Sequence, residues 1–283
     1  MIDFHCHIGR LYRESYPQVP YFTAEQCLDR MNREGIDISV LLPLESPEGG
    51  WGWLLTEECI EARDKFPERF VAFMCIDPRY PKVEPLFEVF VNRYDCKGFG
   101  EHIPGLPFDH ELNKVVYRKC DEYNLPMVMD ICGCGLTDEP GLPRLEACLK
   151  EFPNCMFVGH GPGYWSNICG AVTPDDMYSY PKGRPIAPGG AVDRLLQEHD
   201  NMYADLSAGS GWNALTRDLD FTPGVVERNW RKLMMGTDVC KHGTDYPQVR
   251  WVRAIENAEW REAIAKGNAL RLLKLPEYDK LFA

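Results

Sequence analysis

No stretch of the chain approaches the roughly 18 uninterrupted apolar residues that a membrane-crossing helix needs. No basic segment followed by an apolar run opens it, so no signal peptide is expected. The 12 cysteines include no C-x-x-C pair, which argues against a structural zinc knot. Their closest spacing is Cys132-Gly133-Cys134; Cys6 stands alone between two histidines, and Cys27, Cys59, Cys75, Cys120, Cys148 and Cys155 fall in apolar or helix-like stretches. Reduced thiols in a cytoplasmic protein are therefore expected. Positive charge is also short, with 31 Lys and Arg against 43 Asp and Glu, a net charge of -12 and a pI near 5.1. That balance argues against a nucleic acid partner and against an anionic membrane, but a pocket can carry a different local potential. Gly133-Cys134-Gly135 and Gly209-Ser210-Gly211 lack the Gly-Lys-Ser/Thr continuation of a phosphate loop. No Gly-x-Ser-x-Gly elbow supports Ser207 or Ser210 as a nucleophile.

What is present is a long alternation. The 283 residues suffice for one α/β barrel, which typically takes about 250. A composition 45% hydrophobic and 26% charged belongs to an ordinary folded chain. Eight apolar or β-branched runs read as strands: 2–8, 36–44, 70–76, 96–101, 126–131, 155–160, 202–206 and 233–238. Between them, helical spacing appears over 23–33, 56–66, 86–94, 113–123, 142–152 and 191–199, the first opening on a Thr cap. Near-continuous apolar strands alternating with helices predict parallel βαβ units covered on both faces. Eight of them predict a (β/α)8 TIM barrel, read as one domain over 1–283. Two long connections, 161–190 and 207–224, follow the sixth and seventh strands as loops on the C-terminal face, where they would form a lid or substrate wall.

The sharpest local signal is Asp3-Phe4-His5-Cys6-His7. Side chains two apart on a strand share a face, so His5 and His7 can grip one ion while Cys6 points to the helix layer. His160 ends the sixth strand and Asp238 the eighth, which brings four polar groups to one rim. Glu101, ending the fourth strand between Gly100 and His102, can join as a ligand, or pair with Lys97 instead. Asp130, ending the fifth, can ligate, orient a ligand or meet substrate. Tyr164, Trp165 and Trp212 can stack a ring, and Arg184 or Lys182 can hold a carboxylate, although packing and solvation are the plainer readings. The other histidines, His102, His110, His199 and His242, read as surface or capping residues, and His242, close after Asp238, is the one of them that can also contact substrate.

These motifs resemble the amidohydrolase-related (type 2) family of the amidohydrolase superfamily. The resemblance runs through IDFHCHIG, LPLESPE, IDPR, KGFGEH, FVGHGPGYW and MGTD in order. It implies that His5 and His7 are the metal pair of the first strand. It implies that Asp238 binds metal and shuttles a proton, and that His160 binds metal or contacts substrate. Relatives usually place a histidine where Asp130 stands. The family includes hydrolases, lactonases and non-oxidative decarboxylases.

The expected cofactor is a divalent metal, zinc from the imidazoles or manganese if Glu101 joins, with one ion favoured and room for two. Such an ion moves the pKa of bound water from ~15.7 toward ~7, Asp238 relays the proton, and the ion or His160 steadies the oxyanion. The function expected is metal-dependent hydrolysis of a small-molecule amide, ester or lactone. The alternative is non-oxidative decarboxylation of an unsaturated or aromatic acid. A non-catalytic ligand-binding barrel is the reading from another class. A small molecule is the expected partner, with homo-oligomer formation left open.

Overall fold

The computed structural model describes residues 1–10, 21–46, 51–181 and 183–275. Lys182 lies outside them. In chain order the elements are β1 (Ile2–Cys6), α1 (Ala24–Glu34), β2 (Ile38–Leu41), β3 (Leu44–Ser46), β4 (Trp51–Leu54), α2 (Thr56–Lys65), β5 (Phe70–Ala72), α3 (Val83–Asn92), β6 (Phe99–His102) and α4 (Glu111–Tyr123). They continue with β7 (Pro126–Asp130), α5 (Pro143–Glu151), β8 (Met156–His160), α6 (Pro162–Ser166), α7 (Ala191–Glu198), β9 (Met202–Asp205), α8 (Ala208–Thr216), α9 (Thr222–Asn229), β10 (Leu233–Met234), α10 (Pro247–Arg253), α11 (Ala258–Glu262) and α12 (Asn268–Leu273). The antiparallel pair β3–β4 is an addition to the eight strands read from the sequence.

Those eight are parallel and run in two hydrogen-bonded series, β1-β2-β5 and β6-β7-β8-β9-β10. Single parallel bridges, Met74 with Phe99 and Cys6 with Val239, link the series at both seams. Backbone bonds reinforce them: Met74 N to Gly98 O (3.0 Å), Phe4 N to Met235 O (2.9 Å) and Asp238 N to His5 O (2.8 Å). The protein is a (β/α)8 barrel.

Two apolar clusters account for its packing. The larger lies between strands and helices, where Cys27 and Met31 of α1 meet Cys6, Leu41 and Ala72. The other joins Ile2, Phe4, Val40, Phe73, Val128, Val158 and Met234 with Ala269, Leu272 and Leu273 of α12, a separate filling for the inside of the barrel. Helix α1 starts where its sequence says it should. Thr23 Oγ1 accepts from Gln26 N (3.2 Å), Gln26 Oε1 accepts from Thr23 N (2.9 Å), and Gly35 ends the helix at φ +63°.

The segment 207–224 is not the expected loop. Its first part forms α8, in spite of two glycines and a serine in Ala208–Gly211. The small residues there permit close approach: a Cβ on Gly211 would stand 2.6 Å from the carbonyl of Leu206. The connection 161–190 likewise begins with α6. Among the described residues no helix is long and apolar enough to cross a membrane.

Candidate metal centre

Strict alternation along β1 would put Asp3, His5 and His7 on one face. The observed register differs. Ile2 pairs with Ile38 and Asp3 with Ser39, but Cys6 pairs with Leu41, so three steps of β1 span two of β2. The extra residue is a bulge, which re-aims the strand. Asp3 faces α1, taking Arg30 Nη1 at 2.8 Å, while His5 and His7 turn toward the rim of the interior. Cys6 turns outward to Cys27 as expected, with the sulfurs 3.5 Å apart.

The same device recurs in β6. Phe99 pairs with Met127 and His102 with Met129, again three steps against two. Gly100 sits inside that bulge at φ +122°, where a Cβ would meet Val128 O at 2.5 Å, so only glycine fits. The bulge delivers Glu101 to the histidines. His102 is buried instead of lying at the surface: its Nε2–H donates to Asn113 Oδ1 (3.1 Å), and burial drives its pKa down to about 4. His110 caps α4 through Leu112 N (3.2 Å). His199 ends α7 as its C-cap.

The rim holds a tight group. His5 and His7 Nε2 are 3.1 Å apart. Glu101 Oε2 lies 3.4 Å from His5 Nε2 and 3.2 Å from His7 Nε2, and Asp238 Oδ1 is 3.2 Å from His7 Nε2. His160 Nε2 stands 3.6 Å from Glu101 Oε1. Two sets, His5 with Glu101 and His160, and His5 with His7 and Asp238, each place their ligand atoms within 4.8 Å of one another. Asp238 adopts φ +61°, a left-handed conformation that aspartate tolerates better than most residues.

The ring tautomers test whether these residues suit a cation. His7 Nδ1 lies 2.8 Å from the carbonyl of Leu42, an acceptor only, so that nitrogen carries the proton. His5 Nδ1 and His160 Nδ1 face the two oxygens of Asp205 at 2.7 and 3.0 Å. All three rings are therefore held with Nε2 lone pairs free and converging. Buried lone pairs aimed at one another and at two carboxylates call for a positive centre among them. The donor set fits a divalent metal.

When no cation sits among them, the same carboxylates draw protons onto these nitrogens instead. Burial alone would lower the His5 pKa, but Asp205 and Glu101 overcome it and raise the value to about 10. His7, opposed by burial and held by Asp238 and Glu101, also rises to about 10, and His160 to about 9 through Asp205. Despite burial, His160 and His5 keep Asp205 below the usual carboxylate range, and His5 holds Glu101 down in the same way. Asp130 behaves differently. Burial and then Glu101 raise it to about 7, and its Oδ1 has no hydrogen-bond partner.

Asp205 escaped the reading of the sequence. Its signal was a carboxylate ending the apolar run of β9, the feature that drew attention to Asp238. Ser207 is no nucleophile in this setting: its Oγ donates to Asp205 Oδ1 (2.7 Å) and lies 2.9 Å from His160 Nδ1.

A cavity of about 280 Å³ opens over the group, and its polar lining includes His7, Glu101, Asp130, His160, Tyr180 and Asp238. Trp165 does not line it, being buried edge-on against Tyr164 at 5.2 Å. Trp212 borders a neighbouring open groove of about 490 Å³ that shares Tyr180. His242 is exposed and also outside the lining. Arg184 is tied to Asp176, and Lys97 pairs with Asp95 instead of Glu101.

The amidohydrolase family model matches residues 2–275. The chain belongs to the amidohydrolase family. Enzymes of this family use a divalent metal. No curated protein matches the chain. Among solved structures, an uncharacterised TIM-barrel protein from Bordetella bronchiseptica aligns at TM-score 0.67 and 16% identity, covering 97% of this amidohydrolase and 98% of the other chain. A dihydroxybenzoic acid decarboxylase from Polaromonas sp. JS666, with bound manganese and the inhibitor 2-nitroresorcinol, aligns at 0.62 and 14%, covering 100% and 99%. A probable 2-pyrone-4,6-dicarboxylic acid hydrolase from Acinetobacter baumannii, with citric acid bound, aligns at 0.62 and 15%, covering 96% and 98%. At such identities the likeness is one of fold, and it spans decarboxylation and hydrolysis alike.

Proposed function

We propose that this amidohydrolase is a metal-dependent hydrolase of a small-molecule amide, ester or lactone. The observation that carries the reading is the cavity lining: among the described residues it contains imidazoles and carboxylates but no Lys or Arg. A neutral carbonyl suits such a pocket, whereas an anionic acid would rely on the metal site alone for its counter-charge.

His5, His7, Glu101, His160 and Asp238 would hold the ion. Both ligand sets use His5, and its Nε2 has one lone pair, so one ion is favoured. The imidazoles favour zinc, and the carboxylates leave manganese as the alternative. When bound, the ion supplies a Lewis acid that polarises a carbonyl oxygen and makes water more acidic. Asp238, whose side chain is 31% exposed, is the carboxylate that reaches the reacting groups. It takes the proton of the attacking water and passes it to the leaving group. His160, oriented from behind by Asp205, would give its Nε2 either to the ion or, protonated, to developing oxyanion charge.

Decarboxylation is the second reading, favoured by the several decarboxylases among the solved neighbours. Asp238 would then protonate carbon. Metal analysis of the purified chain, followed by a screen of lactones, N-acyl compounds and aromatic carboxylic acids on zinc- and manganese-loaded protein, separates the readings. Carbon dioxide release would favour the second, and a chain indifferent to chelation would favour a non-catalytic barrel. His5→Ala and Asp238→Asn are each expected to lower activity by at least about 10²-fold, the scale of a lost acid–base or metal group. Full activity in either variant would remove its assigned role.

A further inference from the structure

Two of the thiols stand apart from the rest. Cys132 and Cys134 follow β7 at the mouth of the barrel, and both line the cavity over the metal centre. Their sulfurs lie 3.5 Å apart. Cys6 and Cys27 are equally close, but both are buried between β1 and α1, shielded from any reagent. All the cysteines are free; Cys134 is the exposed one, and Cys132 is buried beside it. A tight turn fixes the pairing, with Gly135 N donating to Cys132 O (3.2 Å). Two more backbone bonds close the base of the loop, Cys132 N to Leu136 O (3.1 Å) and Leu136 N to Asp130 O (2.9 Å). Gly135 leaves the inner sulfur its place, since a Cβ there would stand 2.8 Å from Cys132 Sγ. Neither sulfur belongs to a candidate ligand set. An exposed thiol with a second thiol beside it is the arrangement of a reversible redox site, and the chemistry of the metal centre leaves both unused.

We propose that Cys132 and Cys134 form a redox modification site on the wall of the substrate cavity, closed by low-molecular-weight disulfides. Cys134, as thiolate, attacks one sulfur of the reagent RSSR, forms a mixed disulfide with it and releases RS⁻, which takes up the proton that Cys134 lost. Cys132 then attacks Cys134 Sγ, which forms the bond between the two cysteines, and the departing second RS⁻ takes up the Cys132 proton. Two electrons pass from the pair to the reagent, and two molecules of RSH leave. The sulfurs close from 3.5 Å to about 2 Å, an adjustment that the flanking Gly133 and Gly135 allow. Both side chains line the cavity, so oxidation changes the wall that a substrate meets and leaves the candidate metal ligands as they are. The pair acts in the same way whether the metal centre hydrolyses or decarboxylates its substrate.

The test incubates the reduced full chain with oxidised glutathione, alkylates the thiols that remain and maps the peptides by mass spectrometry. The peptide carrying Cys132 and Cys134 is expected to lose two hydrogens and escape alkylation before any other cysteine reacts, and dithiothreitol should restore it. In Cys132→Ser the glutathione adduct on Cys134 should accumulate at least about tenfold over the wild type, because the sulfur that resolves it is gone. Cys134→Ser, at an exposed position, should leave Cys132 unmodified. A lasting adduct on wild-type Cys134, a bond from Cys134 to Cys240 instead, earlier oxidation of other cysteines, or no reaction at Cys134 each overturns the proposal. The wild-type map decides these outcomes without a variant, so misfolding of Cys132→Ser does not shelter it.

Discussion

Asp205 shares its two oxygens between His5 Nδ1 and His160 Nδ1, and so sets the tautomer and tilt of two rings at once. Asp205→Asn replaces one of those acceptors with an amide that cannot accept, leaving one ring free to turn. Such partners behind metal ligands typically contribute about 10–100-fold in affinity. Competition against a chelator should show a loss in that range, and an unchanged affinity would deny Asp205 this role. His102, one residue from Glu101, makes a different prediction. Its native pKa of about 4 lies below the 6.5 of an ordinary histidine. Between those values the unfolded chain binds a proton that the native chain does not, so stability is full above about pH 6.5 and falls as pH drops toward 4. The gap corresponds to about 3 kcal/mol. His102→Gln should show a flatter loss of stability in urea unfolding between pH 7 and 4. A slope equal to the wild type's would refute the burial argument.

At the scale of elements, the site depends on places where regular structure yields. Bulges in β1 and β6 each insert one residue, and each delivers candidate ligands. Helix α8 lies against the end of β9 because Gly211 lets the backbones meet, and its Ala208 and Ser210 line the cavity. Gly211→Ala sets two effects against each other. Helix propensity improves by up to about 1 kcal/mol, but a Cβ 2.6 Å from a backbone carbonyl has no side chain to push aside. Overpacking of about 1–3 kcal/mol should prevail. A lower melting temperature with a raised KM is the expected result; a more stable enzyme with unchanged KM would show that α8 can shift freely.

For the whole molecule, the first strand must meet the last. Asp3 makes that seam in the outer layer: Oδ2 accepts from Arg30 Nη1 (2.8 Å) and Thr237 Oγ1 (2.6 Å), and Oδ1 from Thr237 N (2.9 Å). One buried carboxylate thus ties β1 to α1 and to the turn that presents Asp238. Asp3→Ala leaves the buried guanidinium with Glu34 as its remaining ion pair. Breaking a buried pair by removing one partner costs about 3–5 kcal/mol. Urea unfolding should reveal a loss of that order, and a loss below about 1 kcal/mol would mean the seam closes without it.

The sequence by itself determined the alternation of strands and helices, their number in the barrel, and the rim positions of His5, His7, His160 and Asp238, because apolar periodicity and strand-end polarity are local properties. Only the tertiary structure decided that Asp3 turns away from the histidines, that Glu101 turns toward them and that Lys97 takes another partner. It also decided that Trp165 packs in the core, that Asp205 stands behind two rings and that Ala208–Thr216 coils into a helix. Those outcomes rest on register shifts between neighbouring strands and on backbones approaching across hundreds of residues, and no residue's own propensity encodes either. Asp130 shows both halves: its place at a strand end was legible, whereas the close packing of its Oδ1 on Gly161, just past the next strand, was not.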